Sequence, residues 1–235
     1  GGKMRKLAKK MRDEIAESEE NMVDVRREDK TIRDFNIAAQ DISGAIVTIN
    51  TVNVIINHEM VAKPKEIILR KRQKLLISGP NGIGKSTFLR SLVSGKNSGA
   101  VILPEVIVGY YSQDFANLDF SQTVYDSLDS ARMSDFGAND MRSVAAGFLL
   151  SGELMGHRVG DLSEGQKGLL AFARLVLMKP GLLILDEPTN HINFRHIPVI
   201  AKALNEYQGT MIMISHMEEF VKEIKMDEFL ELDKI

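Results

Sequence analysis

GPNGIGKST, running Gly79-Pro80-Asn81-Gly82-Ile83-Gly84-Lys85-Ser86-Thr87, lies between the apolar run Leu75-Leu76-Ile77 and a helically periodic stretch from Phe88 to Val93. The pattern G-x-x-x-x-G-K-[ST] needs its glycines because the backbone must curl tightly enough for successive N–H groups to face one anion. Lys85 then supplies a point charge toward the β and γ phosphates of a nucleotide, and the Ser86 hydroxyl can reach Mg²⁺. The N-terminus of the helix that follows adds unpaired N–H groups and a positive dipole end. At average residue frequencies a chance match in a chain of this length has odds of roughly one in a hundred, and the strand-loop-helix setting lowers them further.

A phosphate loop fixes only the nucleotide class. The second decisive segment is LLILDEPTN, Leu182 to Asn190. Four apolar residues entering Asp186 predict a buried parallel strand that delivers a carboxylate at its C-terminal edge, where α/β sheets place ligands. Asp186 is then placed to hold Mg²⁺, directly or through water, and Glu187 to polarise an attacking water. Without the loop the pair would read more simply as a cap before Pro188. With the loop present, the catalytic reading prevails.

Between these segments lies LSEGQKG, Leu162 to Gly168. Ser163 followed by Gln166 is a capping-box pattern, and Leu169, Leu170, Phe172, Ala173, Val176 and Leu177 continue it as an apolar helix that stops at Pro180-Gly181. The Ser163 hydroxyl and the Gly165 N–H therefore stand at a helix N-terminus suited to anions. An ordinary well-capped core helix explains Ser163 and Gln166 but not Gly165, which a first turn avoids.

Together these segments resemble the nucleotide-binding domain of ATP-binding cassette (ABC) proteins. GPNGIGKST resembles the Walker A loop, YYSQD around Gln113 the Q-loop, LSEGQ the signature, LLILDE the Walker B strand, PTNHIN the D-loop and ISH ending at His216 the switch histidine. They occur in family order over about residues 45 to 235. The resemblance implies an α/β phosphate-loop NTPase fold: a mostly parallel sheet, an antiparallel β layer, and a helical subdomain at about 120 to 160. It implies ATP hydrolysis with Glu187, His216 and Gln113 in catalytic roles, and Mg²⁺ held by Ser86, Asp186 and Gln113. It also implies that Ser163, Gly165 and Gln166 complete the phosphate site of a second cassette packed head to tail. DEPTNHIN and the N-terminal segment are most similar to the second cassette of the ABC-F class, soluble tandem-cassette proteins that act on ribosomes. On that resemblance the chain is expected in the cytoplasm. Its alternatives are the motor subunit of an ABC transporter and a nucleotide-gated module with little turnover.

Three positions depart from the family pattern. Glu164 stands where a second glycine is usual, Asn193 where an aspartate is usual, and no Tyr or Phe lies between Gly44 and Lys85 to stack on adenine. A helix N1 position allows the Glu164 side chain to point away from phosphate. Asn57 and His58 fall near the spacing of the missing aromatic and suit a hairpin-turn pair equally well.

Composition sets the outer limits. With 235 residues and 44% hydrophobic content the chain can bury one substantial core. The reading divides it into a charged helical arm, residues 1–40, and an ATPase domain, residues 41–235. No run approaches the ~18 apolar residues of a membrane span, so direct membrane insertion is not expected. The formal net charge of −2 gives no global attraction to nucleic acid, which leaves local patches. The arm carries one. Lys3, Arg5, Lys6, Lys9, Lys10 and Arg12 precede Asp13, Glu14, Glu17, Glu19 and Glu20, a charge order opposite to that preferred by an isolated helix. Contact of the basic end with ribosomal or transfer RNA would explain it, as would a merely solvated linker.

Overall fold

Lys74 to Ser78 forms strand β3, and its parallel neighbour on the inner side of the sheet, Thr210–Ile214, is buried throughout, as a strand covered on both faces must be. In the computed structural model, which describes residues 2–28 and 30–235 and the side chains of 4–19, 22 and 30–235, the chain has two compact units, Gly1–Ile32 and Arg33–Ile235. The first contains helix α1 (Gly2–Glu28). The side chains of Lys3 and Glu20, and those from 23 to 29, lie outside the described residues.

In the second unit, β1 (Val47–Ile56), β2 (Glu59–Leu69) and β4 (Ala100–Ile102) make an antiparallel sheet in the order β2-β1-β4. β5 (Val108–Tyr111), β6 (Leu182–Asp186), β7 (Thr210–Ile214) and β8 (Glu228–Glu231) join β3 in a parallel sheet ordered β5-β6-β7-β3-β8. Every residue of β6 and β7 is buried, as central strands of such a sheet require. One apolar core fills the space between the two sheets and helix α2 (Lys85–Ser94), with Ile49, Val52, Leu75, Ile77 and Phe88 among its buried members.

Helices α3 (Val124–Ala131) and α4 (Ala138–Gly147) flank α5 (Glu164–Met178), and the chain breaks between α3 and α4 where the sequence loses periodicity. Beyond β6 come α6 (Ile197–Glu206) and α7 (Glu218–Lys222). Residues 33–40, assigned to the arm by sequence, are held in the second unit instead. Arg33 N–H donates to the Gly147 carbonyl at 3.0 Å, and Gln40 accepts from the Ile107 N–H at 2.8 Å while donating to the Glu105 carbonyl at 3.0 Å. Phe35 packs on Phe148 with ring centroids 4.8 Å apart. Apolar contact and satisfied backbone groups thus place the boundary earlier than residue 40.

Candidate phosphate-binding and hydrolytic site

The loop from β3 to α2 owes its shape to glycines at positive φ: Gly79 at 144°, Gly82 at 83° and Gly84 at 108°. Side chains are rarely tolerated there. Lys85, the first residue of α2, is buried, and its ammonium donates back to the Gly79 and Pro80 carbonyls at 2.6 and 3.0 Å. Burial lowers its pKa, and Glu187, Asp186 and Asp233 oppose that shift. A buried cation held by loop carbonyls, with carboxylates nearby, is poised for an anionic ligand.

A cleft of about 510 Å³ opens over this loop. Asn81, Gly82, Gly84, Lys85, Ser86 and Thr87 line it from the loop side, and Gln113, Glu187 and His216 from the strand ends. Gly79, Pro80 and Ile83 do not reach it. The first two hold Lys85 through their carbonyls, and Ile83 packs on the core while its carbonyl accepts from Ile55 N–H at 2.9 Å.

Asp186 ends β6 and is almost fully buried, with Oδ1 lacking any hydrogen-bond partner. Burial raises its pKa, the Ser86 hydroxyl acts against that, and Glu187 adds to it. An unpartnered buried carboxylate oxygen beside a hydroxyl is the donor chemistry that Mg²⁺ takes, with phosphate and water oxygens completing the shell. Among the described residues no group of three His, Cys, Asp or Glu side chains could hold a metal, so the phosphates would have to supply part of that shell.

Glu187 follows in a left-handed conformation, φ 52°. Its N–H donates to the Ile214 carbonyl at 2.9 Å, which ties the turn to β7. His216, just past β7, approaches both carboxylate oxygens: its backbone N–H donates to Oε2 at 3.2 Å, and its Nε2 lies 3.1 Å from Oε1. The adjacent central strands β6 and β7 thus bring together two residues that sequence could only place at separate strand ends.

Ser163, Gly165 and Gln166 are not among the residues lining this cleft. The capping box forms as expected: Gln166 N–H donates to Ser163 Oγ at 3.1 Å and Ser163 N–H to Gln166 Oε1 at 2.9 Å. A Cβ on Gly165 would sit 3.0 Å from the His191 carbonyl, so a close approach within the chain also favours this glycine. Glu164 turns to Lys167, Oε1 to Nζ 2.8 Å. Asn193 caps the short 3₁₀ turn Phe194–His196 by accepting from Arg195 N–H at 3.2 Å. Asn57 and His58, both at positive φ, form the two-residue turn between β1 and β2, and neither lines the cleft. Three residues that do line it were not singled out from sequence: Ile55, Asn190 and Ile214. Asn190 was legible as part of PTN, whereas Ile55 reaches the cleft only through the folding-over of the antiparallel sheet.

Comparison with known proteins bears on the family and the fold. A family model described as ABC transporter matches residues 63–190. ABC transporter F family member 5 of Arabidopsis thaliana is 32% identical over 185 residues, 77% of this chain and 27% of the relative. The probable ATP-binding protein YbiT of Escherichia coli O157:H7 is 36% identical over 166 residues, 69% of this chain and 31% of the relative. The chain thus spans between a quarter and a third of the length of these relatives. Among solved structures, the dimeric bacterial ABC transporter cassette MJ0796 superposes with TM-score 0.60 at 18% identity, over 79% of this chain and 94% of that one. The archaeal ribosome recycling factor aABCE1, in complex with ribosomal stalk protein aP1, does so with TM-score 0.60 at 20% identity, over 83% of this chain and 38% of that one. At these identities the two structures speak for the fold.

Proposed function

The chain belongs to the ATP-binding cassette family, and from that premise we propose that it binds and hydrolyses MgATP as one cassette of an ABC-F protein acting on ribosomes. The observation that carries the proposal is the meeting of three groups in one place: the glycine loop with buried Lys85, the unpartnered Asp186 oxygen beneath it, and the Glu187–His216 pair facing it.

The loop N–H groups and Lys85 take the phosphates, while Thr87 and Asn81 border the chain of phosphates along the cleft. Mg²⁺, held by Ser86, Asp186 and Gln113, would neutralise charge developing on the phosphate oxygens. Glu187 accepts the proton of the attacking water. His216 holds that carboxylate in place through both oxygens and, standing at the cleft edge, orients the terminal phosphate. Ser163, Gly165 and Gln166, which do not line this cleft, act on the nucleotide of a second cassette.

Relatives named as F family members favour the ribosomal role over a transport motor. Among the described residues no helix is long and apolar enough to cross a membrane. The basic half of α1 would reach RNA, with a salt dependence of about 0.7 to 0.9 in log-log slope per phosphate neutralised. The cytoplasm is the expected compartment for this role.

Calorimetry and phosphate release test the assignment. Lys85→Ala is expected to lose MgATP binding. Glu187→Gln is expected to bind as the parent does and to lose turnover by about a hundredfold or more. Undiminished affinity in the first variant, or parental turnover in the second, would move the site elsewhere.

A further inference from the structure

The N-terminal end of α5 carries an anion of its own. Glu164 opens the helix and Lys167 follows three residues later, so the two share one face a turn apart. Of the first N–H groups, that of Gln166 donates to Ser163 Oγ at 3.1 Å and that of Lys167 to the Ser163 carbonyl at 2.9 Å. Those of Glu164 and Gly165 have no acceptor inside the helix. With the positive end of the dipole and the Ser163 hydroxyl proton, they are what an incoming phosphate would meet. The Glu164 carboxylate is the nearest rival for that place. Turned back over the helix end it would occupy those donors and repel a phosphate.

Lys167 takes the carboxylate out of this competition. Its ammonium lies 2.8 Å from Glu164 Oε1 and 4.9 Å from the centre of the Phe120 ring. The Lys167 side chain is buried whereas that of Glu164 is 54% exposed, so the lysine is the fixed member and draws the mobile carboxylate to the side of the helix. A ring face below the ammonium and the carboxylate above it both answer its charge. The Glu164 carboxyl is held below the usual carboxylate range, chiefly by the hydrogen bond from Lys167 and further by the charges of Lys167 and His191. It is therefore ionised at neutral pH, and its charge must be answered by a partner rather than lost to a proton.

We propose that Lys167 is a positioning residue of the signature half-site: it holds and neutralises Glu164 so that the terminal phosphate of the nucleotide on a second cassette can reach the Gly165 N–H and the Ser163 hydroxyl. This role rests on the head-to-tail reading given above. It accounts for a carboxylate standing where the family pattern has glycine, since the ion pair leaves the helix end open to an anion.

Sedimentation of the whole chain with MgATP tests the role, in a Glu187→Gln background that slows hydrolysis and lets closed pairs accumulate. Lys167→Met is expected to weaken nucleotide-driven association several-fold. MgATP binding to the single chain should be retained in calorimetry, because neither Glu164 nor Lys167 lines the phosphate cleft. Adding Glu164→Gln to Lys167→Met is expected to restore association to the background level. Glu164→Gln alone, which leaves the buried lysine in place, should associate at least as tightly as the background. An equal loss from Lys167→Met with and without Glu164→Gln would make the lysine a packing residue only and overturn the proposal. Unchanged association in Lys167→Met, or weaker association in Glu164→Gln alone, would overturn it as well, and each of these results leaves the head-to-tail reading intact. Failure of every one of these chains to associate with MgATP would overturn that reading and the role of Lys167 together.

Discussion

Asp186 carries the clearest conflict between stability and function. Its carboxyl is buried with one oxygen unpartnered, and burial holds its pKa above the usual carboxylate range. The folded state therefore binds this proton more tightly than the unfolded chain does. Stability of the nucleotide-free protein falls as pH rises from the unfolded to the folded pKa of this group, and the charge burdens the fold above that window. Mg²⁺ needs the carboxylate, so MgATP affinity should strengthen as pH rises through the same window. Asp186→Asn is expected to raise the stability of the nucleotide-free protein by about 1 kcal/mol and to abolish the extra thermal stabilisation that Mg²⁺ adds to ATP. Melting curves with ATP alone and with MgATP check both parts. A variant less stable than the parent would mean that the charge is compensated in the fold.

The element that most constrains its neighbours is α5. Its capping box was legible because Ser163 and Gln166 are local in sequence, and its burial because the apolar residues recur on nearly every side. Two of its glycines have reasons that only packing shows. A Cβ on Gly168 would lie 2.6 Å from Ile192 Cδ1 and 2.8 Å from the Tyr111 hydroxyl, so α5, the end of β5 and the turn after β6 are fitted to one another without slack. Gly168→Ala should cost about 1 to 3 kcal/mol in denaturant titration, the range of an overpacked core. It should also reduce turnover by displacing the turn that carries Asn190. An unchanged midpoint would mean that the turn after β6 moves freely away from the helix. Residues 33–40 teach the complementary lesson: the sequence reading counted them with the arm, yet Gln40 bonds the Ile107 N–H and the Glu105 carbonyl and Phe35 enters an aromatic cluster. Neither role has a periodic signature.

At the scale of the molecule, each chain offers a phosphate cleft on one side and a capped signature helix that does not enter it. Lys85→Ala and the pair Ser163→Ala with Gly165→Asp should each be inactive alone. Mixed, they should recover activity, because one of the two sites in a head-to-tail pair then has both halves intact. No recovery across a concentration series would count against the shared site. The sequence by itself determined the phosphate loop, the strand that ends on the carboxylate pair, and the capping box of α5. These depend on contacts within a few residues or on simple periodicity. Tertiary structure alone decided that β6 and β7 are neighbours, which brings His216 onto Glu187. It also decided that Ile55 folds over the cleft, that Gly165 and Gly168 are fixed by the turn after β6, and that residues 33–40 belong to the cassette. Each of those depends on which distant surfaces meet when the core closes, and burial of apolar area is indifferent to separation along the chain.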